Sequence, residues 1–323
     1  TAANSPYIIS GDVYVAPDFV LRIEAGTEIR FDGFWSIIVF GDLLSDGELT
    51  DPVNIRSHSG APGANQWNRI WVNDIGGGHL HHTIVEDAAT ALYVEDTTLD
   101  VIGGALRGSV TGLKVEGTSA TVLVRHAEIT ENEVGVNASW SGWSQDSRFR
   151  YTTISNNLQG IITGGSAGLD LWSCVLESNT DVAVQADGGA FRHNLFLNNG
   201  TAITTSGGWD TIERNVFDGN DVGVTVGNYP SRPKIHHNAF LNPGTSNVVY
   251  IGGNENAPVS AQHNWWNTAL LSEIRETIWD IYDDPSLFPV LVKPFLGATP
   301  DSVGVVPEGD EDADGDGFFS VAS

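Results

Sequence analysis

The sharpest chemical signal in the sequence lies close to its end. Asp312-Ala-Asp314-Gly-Asp316-Gly317 sets three carboxylates at alternate positions before a glycine, the first half of an EF-hand-type loop that wraps calcium. The closing Glu of such a loop is absent, so an acidic solvated linker is the plainer alternative. A second candidate is Lys114, with Glu95 and Glu116 beside it and Tyr93 near, once the chain is wound into the repeat described next. A lysine among carboxylates is one way to build a base, and a surface ion-pair cluster is the favoured reading. No carboxylate pair recurs at glycosidase spacing and no Ser-His-Asp arrangement is legible, so no catalytic residue is assigned.

The elements that position these groups are set by an internal repeat. Ala127-Glu-Ile129-Thr-Glu-Asn132 aligns with Thr152-Thr-Ile154-Ser-Asn-Asn157, Asn194-Leu-Phe196-Leu-Asn-Asn199 and Asn215-Val-Phe217-Asp-Gly-Asn220. Taking the apolar third residue as anchor gives Val85, Leu106, Ile129, Ile154, Leu176, Phe196, Phe217, Phe240 and Trp266, at intervals of 20 to 26 residues. Leucine-rich repeats have a similar period, but they demand Leu at fixed places and usually a helical half. Here the anchors mix Ile, Val, Phe and Leu, and no 3.6-residue pattern fills the gaps. Three short strands per repeat fit better. The expectation is an all-β chain, a single-stranded right-handed parallel β-helix whose coils stack at roughly 4.8 Å.

Asparagines hold fixed offsets from the anchors. Asn132, Asn157, Asn179, Asn199 and Asn220 stand three residues after, and Asn194, Asn215, Asn238 and Asn264 stand two before. Stacked amides bonding from coil to coil turn a buried corner without stranding polar groups, and Asn itself tolerates left-handed backbone angles there. Cys174 takes the second offset in its coil and reads as a small buried filler.

Three and four residues before the anchors lies a further set: His81, His82, Arg125, His126, Arg150, Tyr151, Trp172, Arg192, His193, Arg214, His236, His237 and His263. Seven of the nine histidines fall there, a basic stripe on an acidic chain. Three readings stand: a corner flank that favours bulky polar residues, contact with an acidic partner, and metal capture by stacked imidazoles such as His237 and His263. Trp140, Trp143, Trp209 and Tyr229 gather in loops after the anchored strands, where flat rings bind a sugar face or a neighbouring subunit, or fold over their own coil.

Composition excludes several classes. Fifteen Lys+Arg against 41 Asp+Glu leave a net charge of -26, which opposes nucleic-acid binding. No apolar run is long enough for a spanning helix, so no membrane insertion is expected. One cysteine excludes an intramolecular disulfide framework. The absence of Met reads as a mature form cut from a precursor behind a signal peptide.

Both ends carry a resemblance. Ser10-Gly-Asp-Val-Tyr-Val15 with Leu21-Arg-Ile-Glu-Ala-Gly-Thr-Glu-Ile-Arg-Phe31 looks like the first coils of secreted bacterial right-handed β-helix proteins. His263-Asn-Trp-Trp-Asn-Thr268, Ile278-Trp-Asp-Ile-Tyr-Asp-Asp284 and Val292-Lys-Pro294 are similar to their terminal signature. The chain thus resembles the pectate-lyase-like superfamily, and within it the periplasmic copper-maturation and surface-protein branches, over most of residues 7–296. The resemblance is specific for fold and weak for function, since that superfamily hosts lyases, glycosidases, adhesins and structural proteins.

The combined reading is a solenoid of roughly 12 coils. It comprises an N-terminal extended segment (1–11), the β-helix with its terminal cap (12–296) and an acidic tail (297–323). Ile274, Ile278, Ile281 and Tyr282 share one helical face, so a short helix over 272–282 is expected to cover the last coil. The function expected is a secreted, non-catalytic structural or binding protein of the cell surface, whose partners are copies of itself and an extracellular polysaccharide. The alternative is a polysaccharide lyase or glycoside hydrolase acting on an extracellular glycan. Self-association would use Phe318 and Phe319 as an apolar plug and Ala2 to Ile9 as an added strand.

Overall fold

The computed structural model describes residues 1–308 except 60–62, 74, 141–145, 165–167, 206–209, 228–232, 243–245 and 253–257, and except the side chains of 140 and 146. Every anchor from Val85 to Phe240 falls in a short strand that pairs in parallel, anchor to anchor, with the coils before and after it. The column continues upstream through Ile55 and Ile29 to Tyr7. Neighbours in each sheet lie three strands apart in the chain until the last pair of the second and third sheets, giving parallel sheets of 11, 12 and 12 strands among the described residues. Against the roughly twelve coils expected, eleven complete three-strand coils form. A partial coil of Ile278–Trp279 and Val290–Leu291 follows. Tyr7–Ile9, within the segment read as preceding the first coil, pairs with Glu28–Phe31 as the first strand of its sheet.

Alternation along each strand sends one side chain in two to the interior, and the anchors there are buried. Identical positions stack at the coil spacing, so aromatic anchors form a column. Phe196, Phe217, Phe240 and Trp266 lie successively 5.1, 4.7 and 4.7 Å apart, within 11° of parallel. Burial of each such ring is worth about 1.5–3 kcal/mol.

The asparagines form the two ladders expected. In the first, from Asn132 to Asn199, each Nδ2 donates to the next coil's Asn Oδ1 and back to the previous coil's anchor carbonyl, while the backbone N–H donates to that same Oδ1. Both donors and both acceptor positions of the amide are thereby used. Ser109 extends the ladder at one end and Asn242, bonded to Asn247, at the other. The second ladder runs Cys174, Asn194, Asn215, Asn238, Asn264 by the same bonding. Cys174 is fully buried, and burial pushes its thiol up to about 12, so it is an inert filler.

One expectation is corrected here. The left-handed residue at each corner is the one before the ladder asparagine. Glu131, Asn156, Ser178, Asn198 and Gly219 have φ of 60, 54, 56, 54 and 68°, and His193, Arg214, His237 and His263 have 57, 55, 57 and 58°. The left-handed residue bends the chain, so the next side chain points inward and bonds along the stack.

The terminal helix is also shorter than the apolar pattern suggests. It spans Leu271–Glu276 with Ile274 buried, while Ile278–Trp279 leaves helical geometry and adds to the second sheet. Tyr282 is exposed beneath Arg275 instead of packing inward. Asp280, buried, ties this cap together by accepting from Arg275 Nη1 (3.0 Å), Val290 N (2.7 Å) and Tyr282 N (3.0 Å). No helix among the described residues is long and apolar enough to cross a membrane.

Replacing Asn199 with Ala strands the backbone N–H of Asn179 and one proton of its amide inside the stack. The expected cost is about 2–5 kcal/mol in chemical denaturation. Asn198→Gly, at the left-handed position, is expected to be neutral or mildly stabilising.

Candidate functional site

The outward column of the second sheet runs in register through Ile38, Trp71, Tyr93, Lys114, Asn137 and Ile162. At its centre the rings of Trp71 and Tyr93 stack 5.8 Å apart, and Lys114 Nζ lies 4.8 Å from the Tyr93 centroid. The Arg69 guanidinium sits 5.9 and 5.6 Å from the two rings. Lys114 Nζ also pairs with Glu116 Oε1 at 2.9 Å, and the Tyr93 hydroxyl donates to Glu116 Oε2 at 2.7 Å. Glu95 Oε2 accepts from Trp71 Nε1 at 3.0 Å and from Asn73 Nδ2 at 3.1 Å.

Burial and the Glu116 carboxylate push the Tyr93 phenol above its usual range. Burial alone would raise Glu116 too, but the hydrogen bonds from Tyr93 and Lys114 outweigh it and hold that carboxyl low. The ammonium of Lys114 thus sits in an ion pair, the phenol keeps its proton, and ring faces that could meet a sugar are covered by their neighbours. This cluster is a packed outward ladder.

Most histidines of the basic stripe have a conformational origin. His82, His126, His193, His237 and His263, five of the nine histidines, occupy left-handed corner positions, and histidine is among the side chains enriched there. His193, expected to contact a partner, is instead buried at 1% exposure. Arg150 is bound to Asp170, and Arg192 and Arg214 flank Glu213 at 4.0 and 3.7 Å. Arg125 and His126 are exposed, with Tyr151 stacked on His126 at 5.2 Å.

The chain's own C-terminal segment runs back over this corner. Gly304 N donates to Arg214 O (2.8 Å), Val306 N to Ser173 Oγ (3.2 Å), and Glu308 pairs with His126 (3.3 Å). The acidic contact read into the stripe is therefore supplied in part by the same chain. Trp140 ends a described strand, but its side chain lies outside the described residues. Trp143, Trp209, Tyr229, Phe318, Phe319, Asp312, Asp314 and Asp316 also lie outside them.

Among the described residues, two mixed clusters could hold a metal. His237 and His263 stack at 5.7 Å as the sequence suggested, but the cluster centres on Glu213, His236 and His237, whose ligand atoms lie within 4.8 Å of one another. Burial lowers both of its imidazoles, which are neutral at neutral pH. The other cluster, Asp46, His79 and His81, was missed because the anchor alignment stopped at Val85. Its signal was the alternation His79-Leu-His81 on one strand.

Asp210 is 1% exposed, and burial followed by the Asp187 carboxylate pushes its pKa up from 3.8 to about 8. The folded chain therefore holds a proton that the unfolded chain has released, so this group's stabilisation is complete below about pH 4 and lost as pH rises through about 8. Denaturation midpoints measured at about pH 5 and about pH 9 are expected to fall for the parent and to fall less for Asp210→Asn.

Residues 70–240 match the family model described as the right-handed beta helix region. Searches of curated proteins and of solved structures found no match. The matched span runs from the third coil's strand Trp67–Asn73 to the last strand of the anchored sheet, Ala239–Phe240, and so takes in most of both ladders. Since it covers more than half of the chain and coincides with the stacked coils, the chain belongs to the right-handed β-helix family.

Proposed function

We propose that this chain is a non-catalytic structural protein that self-associates through the open face of its first coil. The observation that carries this reading is the state of that face. Strands Tyr7–Ile9, Val13–Val15 and Val20–Glu24 are each hydrogen-bonded to a strand on one side only. Tyr14, Phe19 and Val20 are 64, 67 and 53% exposed there, and the core-facing Tyr7, Ile9, Val13 and Leu21 are only partly covered. At the far end the helix and the partial coil cover the core instead.

A free strand edge beside uncovered apolar side chains favours pairing with a like edge, and a two-fold axis lets two copies cover each other. The net charge of -26 opposes that contact, so added salt favours it. The non-catalytic half of the reading is supported by the second-sheet face, where Lys114 and Tyr93 are both committed to Glu116.

Light scattering on the 323-residue chain across concentration and salt tests the proposal. The expected result is a dimer mass that rises in population with salt and collapses to the monomer in Phe19→Glu/Val20→Lys. A monomer under all conditions, or a dimer indifferent to that variant, contradicts it. Polysaccharide cleavage abolished by Lys114→Ala would overturn the non-catalytic reading.

A further inference from the structure

The outer face of the third sheet carries an arrangement that neither the corner chemistry nor the core requires. Strands Asp42–Asp46 and Gly77–His81 pair in parallel, with Asp46 opposite His81 and Leu44 opposite His79. His79 and His81 are separated by one residue, so both rings project outward from the same face, 4.0 Å apart and 18° from parallel. Asp46 Oδ1 lies 2.7 Å from His79 Nε2. Position 77, the next outward place on the strand, is glycine, so no side chain from that position stands beside the imidazoles.

We propose that Asp46, His79 and His81 bind a divalent transition-metal cation of the imidazole-preferring kind, with zinc(II) as the probe. Two imidazoles and one carboxylate are a donor set such ions take, and one ligand atom from each residue lies within 4.8 Å of the others. Around a tetrahedral ion with bonds of about 2.0–2.2 Å, ligand atoms sit roughly 3.3–3.5 Å apart. The three donor atoms, now within 4.8 Å of one another, would have to close to that separation around the ion. Coordination places left over are open to water.

The electrostatics choose this cluster over its rival. Glu24 stands in register with Asp46, and Asp100 with His79, so two further carboxylates flank the site. Against them stands one guanidinium, Arg22, 3.4 Å from Asp46 on a side chain 63% exposed and able to swing away. At Glu213 the balance is reversed: two guanidiniums lie within 4.0 Å, and the positive charge of Lys234 also acts on His236.

Calorimetric titration of zinc(II) into the full chain, with excess calcium occupying oxygen-only sites, tests the assignment. The parent and His236→Gln/His237→Gln are expected to bind one equivalent with equal affinity, and His79→Gln/His81→Gln to weaken binding by about tenfold or more. Asp46→Asn, which retains both rings and the fold, is expected to weaken it as well. X-ray absorption of the zinc-loaded parent should show two imidazole ligands. Affinity unchanged in the His79/His81 and Asp46 variants, affinity lost with His236/His237 instead, or an all-oxygen shell would overturn the proposal.

Discussion

A chain wound into coils must turn corners inside its own hydrophobic stack, and each turn leaves a backbone N–H facing a place water does not reach. Leaving it unpaired costs about 1–3 kcal/mol, repeated at every coil. The pairing of a left-handed residue with an inward asparagine answers this at both ladder corners. The first residue supplies the bend, and the second returns an acceptor to the N–H of the preceding coil. From Ser109 onward the register of the coils and the aromatic column rest on that device, because it fixes where each coil begins its next strand.

The same bend accounts for most of the stripe's histidines and for Arg214. A position that needs positive φ admits few residue types without strain, and an outward-pointing polar side chain is tolerated there. The chemistry of the stripe is therefore secondary to its conformation, and the chain lays its own residues 304–308 across it. Groups on the sheet faces are free of that constraint. Tyr93, Lys114 and Glu116 close on one another, whereas Asp46, His79 and His81 bring one donor atom each within 4.8 Å of the others.

Much of this was legible in the sequence. The anchors announce the coil period, and a fixed offset between anchor and asparagine predicts a ladder, since stacked coils set equal offsets directly above one another. The first coils were less readable. Ile29, Ile55 and Val85 belong to the anchor column, but the 30-residue span from Ile55 to Val85, longer than any between the other anchors, hides the period. The left-handed residue was misplaced by one because asparagine fits both roles, and only hydrogen-bond direction separates them. The terminal helix was overextended because Ile274 and Ile278 are both buried, one on a helix and one on an added strand. The metal-type cluster joins residues more than thirty positions apart, a pairing that needs the register of coils the alignment had not reached.

The central claim is that the ladder amides, more than the outward contacts, hold the coils in register. Native-state hydrogen exchange at the backbone N–H of Asn132, Asn157, Asn179 and Asn199 addresses it directly. The account predicts that these amides exchange only through global unfolding, with one common free energy. Exchange at those asparagines as fast as at exposed turn amides such as Ser119, whose N–H meets only the Asp96 side chain, would contradict it.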